Sequence, residues 1–224
     1  MLTTKAIFLD FYGTVVHEDD EIIPLICRKI KESSREKCTI QEIGQYWWTS
    51  FSKMFQESYG ENFDTQRNLG RMSLSMTIDY FKADCIAEGI IQEQFEHWQM
   101  PGIYEDALSF FKSCELPLYI ISNIDTSDVM AAIKFHELKV TGVITSEDVR
   151  SYKPRSEIFA EALRRYELKN TEVLHVGDSL TSDVIGAQTL GIGAVWINRM
   201  NKMKPDHIQP DNIIKKLTEL ERII

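Results

Sequence analysis

A chain of 224 residues, 43% of them hydrophobic, has room for one large domain or for a core with a smaller companion, and enough apolar side chains for a sizeable core. A formal charge of -9 and a pI of about 5.1 argue against nucleic acid or an anionic membrane as the main partner, although a small anionic substrate stays compatible because one pocket can be positive inside a negative protein. No run approaches the roughly 18 apolar residues of a membrane span, Asp10 breaks the first apolar run too early for a signal peptide, and Cys27, Cys38, Cys85 and Cys114 form no C-x-x-C pair, so the expected setting is a reducing cytoplasm.

Residues 5–11, Lys-Ala-Ile-Phe-Leu-Asp-Phe, form a short apolar run closed by Tyr12-Gly13, which predicts a buried strand ending in a turn. From about Glu18 to His97 the pattern is helical. Trp47, Phe51, Met54 and Phe55 recur at the spacing of one helix face, and Met72, Met76, Tyr80 and Phe81 at another. The aromatics of 47–59 read as core rather than as a substrate box. After Pro101-Gly102 strands and helices alternate. The expected order is strand Leu118–Ser122, helix Val129–Leu138, strand Val143–Thr145, helix Glu157–Tyr166 and strand Val173–Val176. Helix Val184–Leu190, stopped by Gly191, strand Ala194–Ile197 and an amphipathic helix over Asn212–Arg222 complete it. Short apolar strands between helices predict an α/β fold with a Rossmann-like parallel sheet covered on both faces. About 80 helical residues separate the first strand from the others, so the core is expected over 1–16 and 98–224 and a smaller α-helical domain over 17–97.

In such a sheet ligands bind beyond the carboxyl ends of the strands. Those ends carry Asp10-Phe11-Tyr12-Gly13-Thr14, Ser122-Asn123, and Gly177-Asp178-Ser179 with Asp183 five residues past Asp178; Ser151-Tyr152-Lys153-Pro154 follows the third strand. Carboxylates, a lysine, hydroxyl and amide donors and a glycine turn would meet on one rim. That set suits phosphoryl transfer through an aspartyl intermediate, in which a carboxylate attacks phosphorus and water cleaves the mixed anhydride. Two approaching anions need a cation between them, and magnesium prefers oxygen ligands while keeping several waters. Asp10 and Asp178 can hold it, and Lys153 can add positive charge beside Asp10. Ser122, Asn123 and the Gly13-Thr14 turn can hold the oxygens of a phosphate. His175 lies inside a strand and reads as a core histidine, His17 and Glu18 as exposed loop, and Lys215-Lys216 as a solvated helix face.

The segments Asp-Phe-Tyr-Gly-Thr-Val-Val at 10–16, Ile-Ile-Ser-Asn at 120–123, Tyr-Lys-Pro at 152–154 and Val-Gly-Asp-Ser-Leu-Thr-Ser-Asp-Val-Ile-Gly-Ala at 176–187 resemble, in that order, the four motifs of the haloacid dehalogenase-like (HAD) superfamily. They are spread across nearly the whole chain. The resemblance implies that the helical insertion is the family's cap, whose closure over the core excludes water and sets specificity. It implies that Asp10 is the nucleophile and a magnesium ligand, with the Tyr12 backbone carbonyl and Asp178 as further ligands. Lys153 and Ser122 would be catalytic, and Asp183 would orient metal-bound waters or Lys153.

One position departs from the pattern. Family phosphatases carry a second aspartate two residues after the nucleophile, as general acid and base, where this chain has Tyr12. Asp-x-Tyr-Gly-Thr is more like the 2-haloacid dehalogenases, in which the aspartate displaces halide from carbon and no magnesium takes part. The fourth motif points the other way. Dehalogenases resemble Ser-Ser-Asn-x-x-Asp there, whereas Gly177-Asp178-Ser179 keeps a metal carboxylate. Asp10, Lys153, Asp178 and Asp183 would be costly to hold together without a cation. The expectation is therefore a magnesium-dependent phosphatase acting on a small, anionic phosphorylated metabolite, with no nucleic acid or membrane partner. A 2-haloacid dehalogenase-type hydrolase, or a weakly active small-molecule binder, is the alternative. Substrate identity and oligomeric state are not written in the sequence.

Overall fold

A computed structural model describes residues 4–224. Its contacts divide the chain into two compact units: one joins the segment ending at His17 to Gly102–Ile224, and the other is Glu18–Pro101.

Glu18–Pro101 is built from α1 (Ile22–Ser33), α2 (Ile40–Glu57), α3 (Gln66–Tyr80) and α4 (Ala87–Gln99), with a 3-10 turn at Gly60–Asn62. α2 starts at a capping box: the Thr39 hydroxyl accepts the Glu42 N–H, and the Glu42 carboxylate accepts the Thr39 N–H. Trp47 is buried, and its indole N–H donates to Ser73 Oγ of α3 at 3.0 Å. The face expected for α3 is corrected. Met72, Met76 and Tyr80 are about half exposed, and the inward face is Leu69, Gly70, Ser73, Leu74, Thr77 and Ile78. Small residues let α3 pack closely, so its inward stripe carries too little hydrophobicity to stand out against the methionines.

The other unit holds β1 (Ala6–Leu9), β2 (Leu118–Ser122), β3 (Gly142–Thr145), β4 (Val173–Gly177), β5 (Gly193–Ile197) and β6 (Asn212–Ile214). They form one parallel sheet in the order β3-β2-β1-β4-β5-β6. Around it are α5 (Glu105–Ser113), α6 (Thr126–Phe135), α7 (Ser146–Val149), α8 (Glu157–Arg165) and α9 (Gly186–Gln188). The Ala-Ile-Phe-Leu run of β1 is buried along its whole length, as a strand covered on both faces must be. Phe8, Tyr119, Ile121, Ile144, Phe159 and Trp196 belong to one apolar cluster over the sheet. Connections run outward in one direction from β1 and in the other from β4, so the switch point of the topology lies between these two strands. That is where an open α/β sheet leaves a crevice, and Asp10 and Asp178 follow those two strands directly.

Three expectations about elements change. Residues 212–222 are not one amphipathic helix: Asn212–Ile214 pairs with β5, and Leu217–Arg222 is 3-10 helix. Leu217 and Leu220 are both buried, and their spacing of three suits a 3-10 turn as well as an α-helical one. The helix expected at Val184–Leu190 starts earlier, as a π-helical turn over Leu180–Ile185 that leads into α9. α5 had no counterpart among the expected elements. The four cysteines are free thiols. Among the described residues no helix is long and apolar enough to cross a membrane.

Candidate active site

β1 ends at Leu9, and the ladder carries on for one bond, the Asp10 N–H donating to the Val176 carbonyl at 2.9 Å. This fixes the Asp10 backbone beside β4. A tight turn follows. The N–H groups of Val15 and Val16 both donate to the Phe11 carbonyl, and Gly13 N–H donates to the Val16 carbonyl at 2.7 Å. Gly13 has φ of 86°, a conformation that side-chain-bearing residues resist. Thr14 is fully buried in this turn, and its hydroxyl has no hydrogen-bond partner among the described residues.

Lys153 is 1% exposed, and its ammonium is fully used. It donates to Asp10 Oδ1 at 2.6 Å, to Asp183 Oδ1 at 2.7 Å and to the Ile121 carbonyl of β2 at 2.9 Å. Asn123 braces its backbone: Lys153 N–H donates to Asn123 Oδ1 at 2.7 Å, and Asn123 Nδ2 donates to the Lys153 carbonyl at 3.3 Å.

The end of β4 supplies the other carboxylates. Asp183 Oδ2 accepts the Ser179 N–H at 3.0 Å, and Oδ1 lies 3.1 Å from His175 Nε2. A Cβ on Gly177 would come within 2.1 Å of Asp183 Cγ, so only glycine lets this carboxylate approach. Asp178 is held by its carbonyl, which accepts the Trp196 indole N–H at 2.8 Å, and Lys202 Nζ donates to its Oδ2 at 3.2 Å. One oxygen from each of Asp10, Asp178 and Asp183 lies within 4.8 Å of the other two.

Burial pushes the Asp10 carboxyl up to about 7; Lys153 pulls it down, while Asp183 and Asp178 push it further up. For Asp183 burial acts in the same direction, but Lys153 and the His175 contact outweigh it and hold the carboxyl below the usual range. Burial would lower Lys153, yet the two carboxylates facing it raise the ammonium well above its ordinary value. Burial also lowers His175, which disfavours its charged form, and its Nε2 faces Asp183 Oδ1 at 3.1 Å. Asp10 and Asp183 thus share one buried ammonium, and the half-exposed Lys202 reaches Asp178.

Asp10, Lys153, Asp178 and Asp183, chosen from strand ends, come together. Gly13, Thr14 and the Tyr12 backbone lie in the turn directly after Asp10. Ser122 is buried, and its hydroxyl accepts the Ile124 N–H at 3.2 Å. Asn123, expected at a substrate oxygen, engages the Lys153 backbone through both polar atoms of its amide. His17 and Glu18 are exposed. Sequence reasoning missed His175 as a partner of Asp183, and Lys202 and Arg199 altogether. Arg199, whose Nη2 donates to the Thr14 carbonyl at 2.7 Å, follows the carboxyl end of β5. Applying the strand-end rule to that strand as well would have flagged it.

The family model described as "Hydrolase: haloacid dehalogenase-like hydrolase" matches residues 4–191. Over 137 residues the chain is 31% identical to haloacid dehalogenase-like hydrolase domain-containing protein 3 of Danio rerio, a match that covers 56% of this chain and 52% of that protein. The chain thus spans about half the length of that relative. It is 25% identical over 238 residues to an (S)-2-haloacid dehalogenase of Pseudomonas putida, covering 98% and 96% of the two chains. The structure of the HAD-hydrolase YfnB from Bacillus subtilis bound to magnesium shares the fold, with a TM-score of 0.78 at 20% identity over 99% of this chain and 98% of that one. With four motif segments in order along a parallel sheet and a family match over most of its length, the chain belongs to the haloacid dehalogenase-like hydrolases.

Proposed function

We propose that this hydrolase is a magnesium-dependent phosphatase acting on a small phosphorylated metabolite, with Asp10 as nucleophile and Glu18–Pro101 as the cap. The observation that carries this reading is Asp178, a third carboxylate whose oxygen lies within 4.8 Å of oxygens on Asp10 and Asp183. All the donors offered there are hard oxygens, the set that magnesium takes. Asp10, Asp178 and the Tyr12 carbonyl would hold the ion, and Asp183, already bonded to Lys153, Ser179 and His175, would orient Lys153. Bound magnesium would supply charge neutralisation between the anionic substrate and the carboxylate that attacks it.

Lys153 holds Asp10 Oδ1, which leaves Oδ2 to attack phosphorus. The Asp10–phosphorus bond forms as the bond to the leaving oxygen breaks, and water then cleaves the acyl phosphate, returning the carboxylate and releasing phosphate. The Thr14 hydroxyl, buried without a partner, supports a ligand contact, because a buried hydroxyl left unpaired costs stability. Ser122 Oγ and backbone N–H groups of the Asp10 turn would complete the oxygen-holding set.

A second reading has its own support. Tyr12 stands where a phosphatase keeps its acid, and the (S)-2-haloacid dehalogenase relative aligns over nearly the full length of this chain. In that reading Asp10 displaces halide from carbon, no leaving group needs a proton, and Asp178 has no task.

The test is a screen of aryl, acyl and alkyl phosphates and of 2-haloacids, with magnesium and with EDTA. The expected result is magnesium-dependent phosphate release, faster for aryl and acyl than for alkyl phosphates because no carboxylic acid protonates the alkoxide. Asp10→Asn should abolish it, and Tyr12→Asp should raise kcat/KM on the alkyl ester by up to about 100-fold. Haloacid turnover in EDTA without phosphate turnover would overturn the proposal in favour of the second reading. An alkyl rate equal to the aryl rate in wild type would show that another group already serves as the acid.

A further inference from the structure

A second, partly buried ion pair lies against the Asp10 turn. The Arg199 side chain is 9% exposed. Its Nη1 donates to Asp106 Oδ1 at 2.8 Å; its Nη2 donates to Asp106 Oδ2 at 3.1 Å and to the Thr14 carbonyl at 2.7 Å. The guanidinium carbon stacks 3.8 Å from the centre of the Tyr104 ring. Asp106 Oδ2 also accepts the Leu217 N–H at 2.7 Å, and the Tyr104 N–H donates to the Val15 carbonyl at 3.3 Å. The carbonyls of Thr14 and Val15 are therefore gripped from the start of α5 and the end of β5, while the N–H groups of Val15 and Val16 point back to the Phe11 carbonyl, one residue from Asp10.

A buried Arg–carboxylate pair is a poor source of net stability, since desolvation offsets the attraction. It is a good source of geometry, because the planar fork fixes direction as well as distance. Here Nη1 and Nη2 are taken by Asp106, by the Thr14 carbonyl of the turn and, at 3.4 Å, by the Lys215 carbonyl. A lysine ammonium, a compact charge on a flexible stem, lacks the fixed direction of that planar fork.

We propose that Arg199 is a positioning residue for the reaction: by holding the Thr14 carbonyl it sets the turn that carries Asp10 and aims the unpartnered Thr14 hydroxyl. The inference rests on the reading of Asp10 as nucleophile. Arg199 touches no reacting atom and acts through the turn.

The experiment compares wild type, Arg199→Gln, Arg199→Lys and Arg199→Ala, with Arg165→Gln as control. Arg165 pairs with Asp148 and Glu161 on the surface, away from this turn. Steady-state rates are measured on the best phosphate found in the screen, and amide hydrogen exchange is followed at Val15, Val16, Val176 and Val195. Arg199→Gln should lower kcat by about 100-fold, the scale expected for a misplacement near 1 Å, with KM within about threefold of wild type. Exchange should quicken at least tenfold at Val15 and Val16 but stay unchanged at Val176 and Val195. Guanidinium chloride at a sub-denaturing concentration should restore part of the kcat of Arg199→Ala, Arg199→Lys should not recover wild-type kcat, and Arg165→Gln should match wild type throughout. A kcat within twofold of wild type in Arg199→Gln would overturn the inference. So would loosening of all four amides together with no guanidinium rescue, since Arg199 would then be general support for the sheet. If wild type turns over no phosphate or haloacid, the proposed function fails separately, and the exchange pattern alone then decides whether Arg199 holds the turn.

Discussion

Replacing Lys153 by methionine removes the charge while keeping an unbranched side chain of similar bulk. Three acceptors lose their donor at once: Asp10 Oδ1, Asp183 Oδ1 and the Ile121 carbonyl. Breaking a buried pair by removing one partner costs about 3–5 kcal/mol, because the other charge stays buried and uncompensated. Asp10 blunts this cost by taking up a proton, since burial already holds its carboxyl near 7 and the loss of Lys153 raises it further. Asp183 sets the pH dependence. In wild type its carboxyl sits below the usual range, so its contribution is present above the unfolded carboxylate pKa and is lost as pH falls through the folded value. Without Lys153 the sign reverses. The folded pKa of the carboxyl pair then exceeds the unfolded one, so stability is kept at low pH and lost as pH rises. Urea unfolding in EDTA should therefore show a deficit of about 4 kcal/mol near pH 8 that shrinks toward pH 5, at up to about 1.4 kcal/mol per pH unit. Magnesium at 100 times its dissociation constant should return about 2.7 kcal/mol by linkage. A deficit under about 1 kcal/mol at pH 8, or one independent of pH, would refute the claim that this ammonium neutralises the cluster.

Two further substitutions test the surroundings. Gly177→Ala drives a Cβ to 2.1 Å from Asp183 Cγ, so it should cost at least about 1–3 kcal/mol and reduce turnover; a variant with wild-type melting temperature and activity would show that the Asp183 side chain need not sit there. Asp19, partly buried against Gln94 and Trp98, has its carboxyl raised chiefly by desolvation, so it favours folding when protonated and loses that benefit as pH rises through its folded value. Asp19→Asn should therefore gain stability relative to wild type between about pH 4 and pH 8, and urea midpoints that run parallel over this range would contradict the assignment.

The architecture was legible because its signals are periodic and long. Short apolar runs such as Ala6–Leu9 and Leu118–Ser122, too short for helices, read as strands covered on both faces, and helices between them point to a parallel sheet. Once the sheet is parallel, the ends of β1, β2 and β4 must converge, which is why Asp10, Ser122 and Asp178 could be chosen without coordinates. What escaped was set by packing. The inward face of α3 relies on Gly70, Ser73 and Thr77, which carry no hydrophobic signal. Leu217 and Leu220 fit two helix types equally well, so spacing could not tell an α-helix from a 3-10 turn. The bracing of the Lys153 backbone by the Asn123 amide joins residues 30 apart, which no local pattern shows. Arg199 escaped because the strand-end rule was not carried to β5, and its partners Thr14 and Asp106, 185 and 93 residues away along the chain, leave no local pattern.

The two halves of the signature, Tyr12 and Asp178, can be weighed by charge. Lys153 is saturated by Asp10, Asp183 and the Ile121 carbonyl, so it cannot also answer for Asp178. Lys202 reaches Asp178 Oδ2 at 3.2 Å, but its side chain is half exposed, and such pairs contribute about 0–1 kcal/mol. Asp178 therefore places a carboxylate close to Asp10 that the Lys153 ammonium does not reach. At a separation of about 5 Å and an effective dielectric constant near 20, two such charges repel by about 3 kcal/mol. A haloacid is itself a carboxylate, and a dehalogenase with Asp178 intact would set that repulsion against its own substrate on every encounter. With a divalent cation the same carboxylate becomes an attraction for a phosphate. The sign of the magnesium effect on KM separates the two: a fall in KM with magnesium means that Asp178 works through the ion, whereas an Asp178→Asn variant that binds 2-haloacids more tightly in EDTA and turns them over would mean that Asp178 hinders a dehalogenase.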